Sequence, residues 1–487
     1  MSGRGGRPSP ALVDPRIGVG RRLQQRLLAA AILASFVSFL DGSIVNIALP
    51  AIARDVGGGV LTQQWVIDAY LLTVSALILV SGAVSDAFGR IRVLRIALLA
   101  FAATSVLCAL APTSSVLIVA RLLQGMAGAL LVPGALGLII AVFSSEEEPR
   151  AIGRWTAWAS VANLAGPVLG GVLVDLSGWR SVFLVALLPA AASMLLLGRT
   201  RDAVRTTRAS RVDVPSCILT AVGLCGLTVG LIELGSHATS DPALAVVAVG
   251  ALAIGVGCLA AFVVRDRRTA WPLVPPHLFR SRNFTAGNLS TFVIYAGLGL
   301  AFLVPSLFLQ QVVGLPATVA ALVSLPATVL TILLSGRFGA LSGRFGPRRF
   351  MTIGPLIAAS GAFTMTWVRE PQTALWFVVP GMVLFGLGLS ITVAPLTSAV
   401  LGAVPANESG IGSAVNNVVA RTAGLLSTAC VGWIHAGPVS VPGFVRVEVA
   451  VMLLLLAGAT ISFLGIRDHP LAGPEGSPVT HLDPHTE

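Results

Sequence analysis

Gly82-Ala83-Val84-Ser85-Asp86-Ala87-Phe88-Gly89-Arg90 returns 257 residues later as Gly339-Ala340-Leu341-Ser342-Gly343-Arg344-Phe345-Gly346-Pro347, with five of nine positions identical. A chance match of Gly and Ala is easy in a chain with 52 glycines. The place of the match says more: each copy follows the second apolar run of a series of six. Duplication of a whole unit explains that better than coincidence. The glycines also suit a tight turn between two helices, since glycine turns where other residues strain.

Outward from these motifs, apolar segments run over 28–49, 63–81, 93–112, 116–141, 153–175, 181–198, 215–236, 243–264, 284–312, 316–336, 350–368, 374–402, 411–435 and 446–466. Most reach the ~20 residues needed to cross ~30 Å of hydrocarbon. The expected fold is all-α and integral to the membrane, with fourteen spans divided as six, two and six. Two six-helix bundles related by a pseudo-twofold axis would enclose a cavity, an architecture of secondary transporters. Residues 1–27 read as a disordered cytoplasmic tail, 28–198 as the N-terminal bundle and 199–283 as a linker with the two extra helices. Residues 284–466 form the C-terminal bundle, and 467–487 a second cytoplasmic tail.

Composition agrees. Hydrophobic residues make up 55% and charged residues only 11%. Mean hydropathy is +0.88. Soluble domains carry about 25% charged residues. All 32 basic residues are arginine, and the net charge is +11. In a soluble protein that excess would suggest nucleic acid. Here the arginines lie mostly in short loops between apolar runs, where membrane topology accounts for them. The five cysteines (Cys108, Cys217, Cys225, Cys258, Cys430) show no CxxC pair or His/Cys cluster, so neither a disulfide framework nor a metal site is expected.

With the N-terminus inside, arginines crowd the inner segments: Arg90, Arg92 and Arg95 in one loop, Arg337, Arg344, Arg348 and Arg349 in its repeat, and Arg265, Arg267, Arg268, Arg280 and Arg282 between the halves. The outer segments hold only Arg54, Arg180, Arg369 and Arg446. This asymmetry follows the positive-inside rule and puts both termini in the cytoplasm.

Four ionisable residues fall well inside the apolar segments: Asp41, Asp68, Arg121 and Arg421. A charge at the bilayer centre costs at least ~2.5–3.5 kcal/mol, so such groups face protein or water and usually pair. Counting from the segment ends, Asp41, Asp68 and Arg121 lie ~8–12 Å below the outer surface. They could form one cluster with Asn46 and Gln124. Such a cluster is either a proton-titratable site or a static pair that holds the bundle together. Arg421 follows Asn416 and Asn417 by about one turn, and the three either contact substrate or bridge helices.

The motifs resemble the major facilitator superfamily, and within it the fourteen-helix drug:proton antiporters. Leu40-Asp41-Gly42-Ser43-Ile44-Val45-Asn46-Ile47-Ala48-Leu49-Pro50 is similar to the subfamily's first-helix signature, LDxTIVNVALP, with Ser43 for Thr. Gly82, Asp86, Gly89 and Arg90 fit the superfamily's loop motif, although Ala87 and Ile91 replace two of its basic positions. Arg121-Leu122-Leu123-Gln124-Gly125-Met126-Ala127-Gly128 looks like the fourth-helix motif RxxQGxGa, which the family links to proton coupling. Gly153, Gly166, Pro167, Gly170 and Gly171 fit the fifth-helix antiporter motif, with Ala162 where a glycine is usual. Trp179-Arg180 with Phe183 resembles the family's WRxxF turn, and Ser409 to Gly424 resembles the thirteenth-helix pattern.

The resemblance implies a proton-coupled exporter of small lipophilic or cationic compounds, working by alternating access from a bacterial cytoplasmic membrane. Asp41, Arg121 and Asp68 would carry the proton coupling. Asn46, Gln124, Asn288, Tyr295, Gln310, Gln311, Asn416, Asn417 and Arg421 would line the substrate cavity. Gly82, Asp86, Gly89 and Arg90 would serve gating. The expected partners are a small-molecule substrate, protons and lipid, with no nucleic acid, no cofactor and no metal, in a monomer. Export of an endogenous metabolite, lipid or amino acid is the alternative, and a non-transporting membrane sensor a further one. With six histidines and no HExxH, GxSxG or P-loop motif, the chain offers no foothold for a membrane enzyme or an ATP-driven pump.

Overall fold

A computed structural model describes residues 20–143, 147–198, 213–237, 242–269, 272, 274–405, 408–435 and 439–468. Among these residues no strand forms. An apolar chain in lipid must satisfy its backbone internally, and the helix does so within each segment. In order the helices are α1 (Arg21–Val56), α2 (Gly59–Phe88), α3 (Arg90–Leu110), α4 (Ser114–Val142), α5 (Glu148–Ser177), α6 (Arg180–Leu184), α7 (Leu187–Leu197), α8 (Val214–His237) and α9 (Pro242–Arg268). They continue as α10 (Arg282–Gln311), α11 (Ala317–Phe345), α12 (Pro347–Met365), α13 (Ala374–Leu401), α14 (Ser409–Ala429), α15 (Val431–His435) and α16 (Val441–Gly465).

Eleven helical stretches among the described residues are long and apolar enough to cross a membrane. The expected spans on α2, α12 and α14 are not in that set, although they form helices of 30, 19 and 21 residues. Polar side chains lower the hydropathy of two of them: α12 opens with Arg348 and Arg349, and α14 carries Asn416, Asn417 and Arg421.

The structure corrects the expected loop at 82–90. α2 continues to Phe88, and the only residue between it and α3 is Gly89, at φ 92°. The repeat does the same: α11 continues to Phe345, Gly346 turns at φ 84°, and α12 begins at Pro347. Hydropathy marks where lipid ends, and a helix need not end there. The span expected over 181–198 is also interrupted, with a turn at Val185 and Ala186 between α6 and α7. The tail residues 1–19 and 469–487 and the loop 199–212 lie outside the described residues.

α1 packs against α4, α5 and α7, and α2 and α3 pack against α4. In the second half α13 packs on α11 and α12, while α16 packs on α10 and α12. α8 and α9 pair closely through small residues; a Cβ on Gly226 would lie 2.6 Å from the Ala251 carbonyl and 2.8 Å from Gly255 Cα. α8 also touches α2 and α14.

Each half is tied separately at the face that carries Arg21 and Gly465, the terminal face. Gln24 Nε2 donates to the Val142 carbonyl at 3.2 Å and Arg26 Nε to the Leu196 carbonyl at 2.6 Å. In the second half Arg282 Nε donates to the Gly465 carbonyl at 3.1 Å and Arg348 Nε to the Phe463 carbonyl at 2.8 Å. Toward the opposite, distal face the halves bond to one another. Asp175, near the end of α5, accepts from the Ala317 and Thr318 amides at 3.1 and 2.9 Å and from the Thr318 hydroxyl at 2.6 Å. A carboxylate from α5 thereby caps the first turn of α11, satisfying amides that no residue of α11 reaches. Gln310 Nε2 donates to the Ile47 carbonyl at 3.2 Å.

Candidate functional site: a buried charge cluster beside a central cavity

Arg121 and Asp41 meet within the first half. Both are 2% exposed. Arg121 Nη1 donates to Asp41 Oδ2 at 2.7 Å and to Gln124 Oε1 at 2.6 Å, and Nε donates to the Val66 carbonyl at 3.0 Å. Gln124 Nε2 donates to Asp41 Oδ1 at 3.2 Å and to Ser105 Oγ at 2.8 Å. Both carboxylate oxygens are thus engaged, and the guanidinium lies 4.3 Å from the centre of the Tyr70 ring. A buried ion pair persists only with excellent geometry and its spare polar atoms satisfied. The one-turn spacing of Arg121 and Gln124 puts both on one face of α4. Gly125 and Gly128 let α2 approach there: a Cβ at either would meet Thr73 or Tyr70 within 2.8 Å.

Asp68 joins a different set. It is 0% exposed on α2 and accepts from the Thr428 hydroxyl of α14 at 2.5 Å, while its Oδ2 has no partner among the described residues. Gln64, one turn earlier, donates to the Thr428 carbonyl at 3.2 Å. Asp68 therefore belongs to the seam between α2 and α14, not to the Asp41 cluster with which its depth suggested grouping it.

Two adjoining lobes of about 250 and 390 Å³ lie between the halves. Both are bounded by Gly42, Asn46, Tyr295, Leu298 and Phe302. The smaller lobe reaches Tyr70, Arg421 and Thr428; the larger reaches Asn163, Pro167 and Thr331. Binding cavities are typically ~300–1,000 Å³ and mostly apolar, with a few polar groups that set orientation.

Of the residues expected to line this space, Asn46, Tyr295 and Arg421 do so. Most of the others make contacts of their own. Gln124 is buried in the charge cluster. Asn416 Nδ2 donates to Thr291 Oγ1 at 2.7 Å and to Asn288 Oδ1 at 3.3 Å, so this pair joins α14 to α10. Gln310 bonds across to α1, and Gln311 is exposed at the end of α10. Asn417 instead accepts from Arg421 Nε at 3.2 Å.

The motif glycines divide by neighbour. A Cβ on Gly166 or Gly170 would strike Ser43 or Ile44 of α1, and one on Gly171 would lie 2.6 Å from Thr318 Cα of α11. Gly153 has open space around it. Pro167 lies inside α5 at the cavity wall. Gly82 is exposed on α2, and Arg90 Nη1 donates to the Gly137 carbonyl of α4. The side chain of Asp86 lies outside what the structure describes.

Two carboxylates escaped the sequence reading. Asp175 is the cross-half cap described above. Glu448 is 1% exposed in α16, with Oε1 unpartnered among the described residues. It stands near the start of the apolar run that opens at 446; α16 starts at Val441, which sets Glu448 two turns inside the helix.

The family model described as Major Facilitator Superfamily matches residues 31–428. A tetracenomycin C resistance and export protein of Streptomyces glaucescens is 31% identical over 89% of this chain and 79% of its own length. The multidrug efflux pump LfrA of Mycolicibacterium smegmatis is 33% identical over 84% of this chain and 80% of its own. Among solved structures, a peptide transporter POT in complex with sulfate superposes with a TM-score of 0.67 at 14% identity, over 90% of this chain and 94% of that one.

Proposed function

This chain belongs to the Major Facilitator Superfamily, and from that premise we propose that it exports small lipophilic compounds, antibiotics among them, in exchange for protons. The names of the relatives support the cargo: one is a tetracenomycin C exporter and another a multidrug efflux pump. The observation that carries the reading is the contrast of seams. The halves bond to each other toward the distal face, around an apolar cavity, and are tied separately at the terminal face.

The proposed topology has fourteen spans in a multi-pass membrane protein: two six-helix bundles, with α8 and α9 as an added pair. Both termini are cytoplasmic in this reading, which makes the terminal face the inner one and the cavity inward-facing. The chain works as a monomer without a cofactor. Protonation of Asp41 would release Arg121 and Gln124 from the carboxylate, and the first half would repack as the cavity turns outward. Asp68 spans the α2–α14 seam that must part in that motion, so a proton there would act on the seam itself. Gly82, Asp86, Gly89 and Arg90 form the hinge side of the gate at the terminal face.

Purified protein in liposomes loaded with an acidic lumen tests this, with a lipophilic fluorescent dye outside. A dye that crosses the bare bilayer only slowly accumulates in vesicles that hold the protein and not in protein-free ones, only while the pH gradient stands, and a protonophore abolishes the accumulation. Accumulation that ignores the protonophore contradicts proton exchange. Dye binding without any flux supports a sensor instead.

A further inference from the structure

We propose that Arg421 is an acid-recognising subsite of the central cavity, so that the preferred cargo is an amphiphilic organic acid with an aromatic or aliphatic body. The inference rests on reading the cavity as the substrate path. Arg421 lines the smaller lobe. Its Nε is held by Asn417 at 3.2 Å. Among the described residues it has no carboxylate partner, and its Nη atoms make no hydrogen bond. The helix beside it is bare: Ala420 is small, and a Cβ on Gly424 would meet nothing within 4 Å. The guanidinium fork thus has its base fixed at the lobe's wall and its two outer nitrogens without a protein partner among the described residues.

The remaining charges around the cavity leave that cation uncompensated. Arg121 touches the same lobe, but Asp41 neutralises its charge, and Asp41, Gln124 and the Val66 carbonyl use its Nη1 and Nε donors. Asp68 is fully buried, bonded to Thr428, and does not line either lobe. The walls supplied by Tyr70, Tyr295, Leu298 and Phe302 suit an apolar body. A cation in membrane-crossing helices is costly without a counter-charge. A guanidinium with two free, parallel donors takes a carboxylate in the bidentate geometry that both groups favour. A cationic cargo would meet an unscreened like charge in the same lobe.

The test uses a matched pair, 1-pyrenebutyric acid and its methyl ester, whose binding to the full chain in nanodiscs is read by fluorescence. Wild type binds the acid more tightly than the ester. Arg421→Gln weakens the acid about tenfold or more and leaves the ester within about twofold, while Arg421→Lys keeps part of the preference. Unchanged ester binding also shows that the variants are folded. Equal affinity for acid and ester in wild type, or an equal loss of both in Arg421→Gln, overturns the subsite and leaves the export reading standing. Binding of neither probe to wild type overturns the subsite together with the reading of the cavity as the substrate path.

Discussion

Arg121 and Arg421 are the same side chain in two halves of one molecule and touch the same cavity lobe, yet their surroundings are opposite. Arg121 has a carboxylate, an amide oxygen, a backbone carbonyl and an aromatic face, and is 2% exposed. Arg421 has one amide oxygen and a cavity. The difference teaches what a charge in a membrane helix is for. Where a buried carboxylate meets the guanidinium, the charge is part of the fold and of whatever titrates its partner. Where donors have no protein partner, one is supplied from outside the chain.

The comparison breaks most sharply on stability. Arg121→Leu leaves Asp41 buried without its counter-charge and should cost about 3–5 kcal/mol. Thermal unfolding in detergent should show a large drop, whereas Arg421→Leu should unfold within a few degrees of wild type, because no carboxylate is abandoned. Equal losses would mean that Arg421 is as structural as Arg121. A finer contrast lies within α14. Asn416 turns toward Asn288 and Thr291, while Arg421 faces the cavity. Asn416→Ala should lower stability by about 0.6 kcal/mol, no more than ~1.7, as interhelical hydrogen bonds in membranes do. Its affinity for 1-pyrenebutyric acid should stay at the wild-type value; a tenfold loss there would place Asn416 in the cavity after all.

The Asp41–Arg121 pair was legible in the sequence, because two opposite charges in apolar runs must be compensated and counting from the segment ends puts them at one depth. The repeat was legible too, and Gly89 and Gly346 turn at equivalent positions. Depth says nothing about direction around a helix axis. In helices that are apolar on nearly every side no periodicity fixes that rotation, so Asn288, Gln310 and Asn416 looked like cavity residues and prove to join helices. For the same reason Asp68 was grouped with Asp41, although it faces α14. Asp175 and Glu448 were hidden by a boundary effect, since a carboxylate near the end of an apolar run looks solvated. Only the partner helix reveals that Asp175 caps α11, and only the true start of α16 shows Glu448 to be buried.

The account's central claim is a division of labour: the paired charges in the first half carry the proton, and the unpaired arginine in the second half reads the cargo. Asp41→Asn and wild type, reconstituted side by side, test it through two fluxes of one dye. One is accumulation driven by a pH gradient, and the other is exchange of labelled for unlabelled dye with no gradient. The account predicts that Asp41→Asn loses gradient-driven accumulation and keeps exchange. Gradient-driven accumulation at the wild-type level in Asp41→Asn would contradict it.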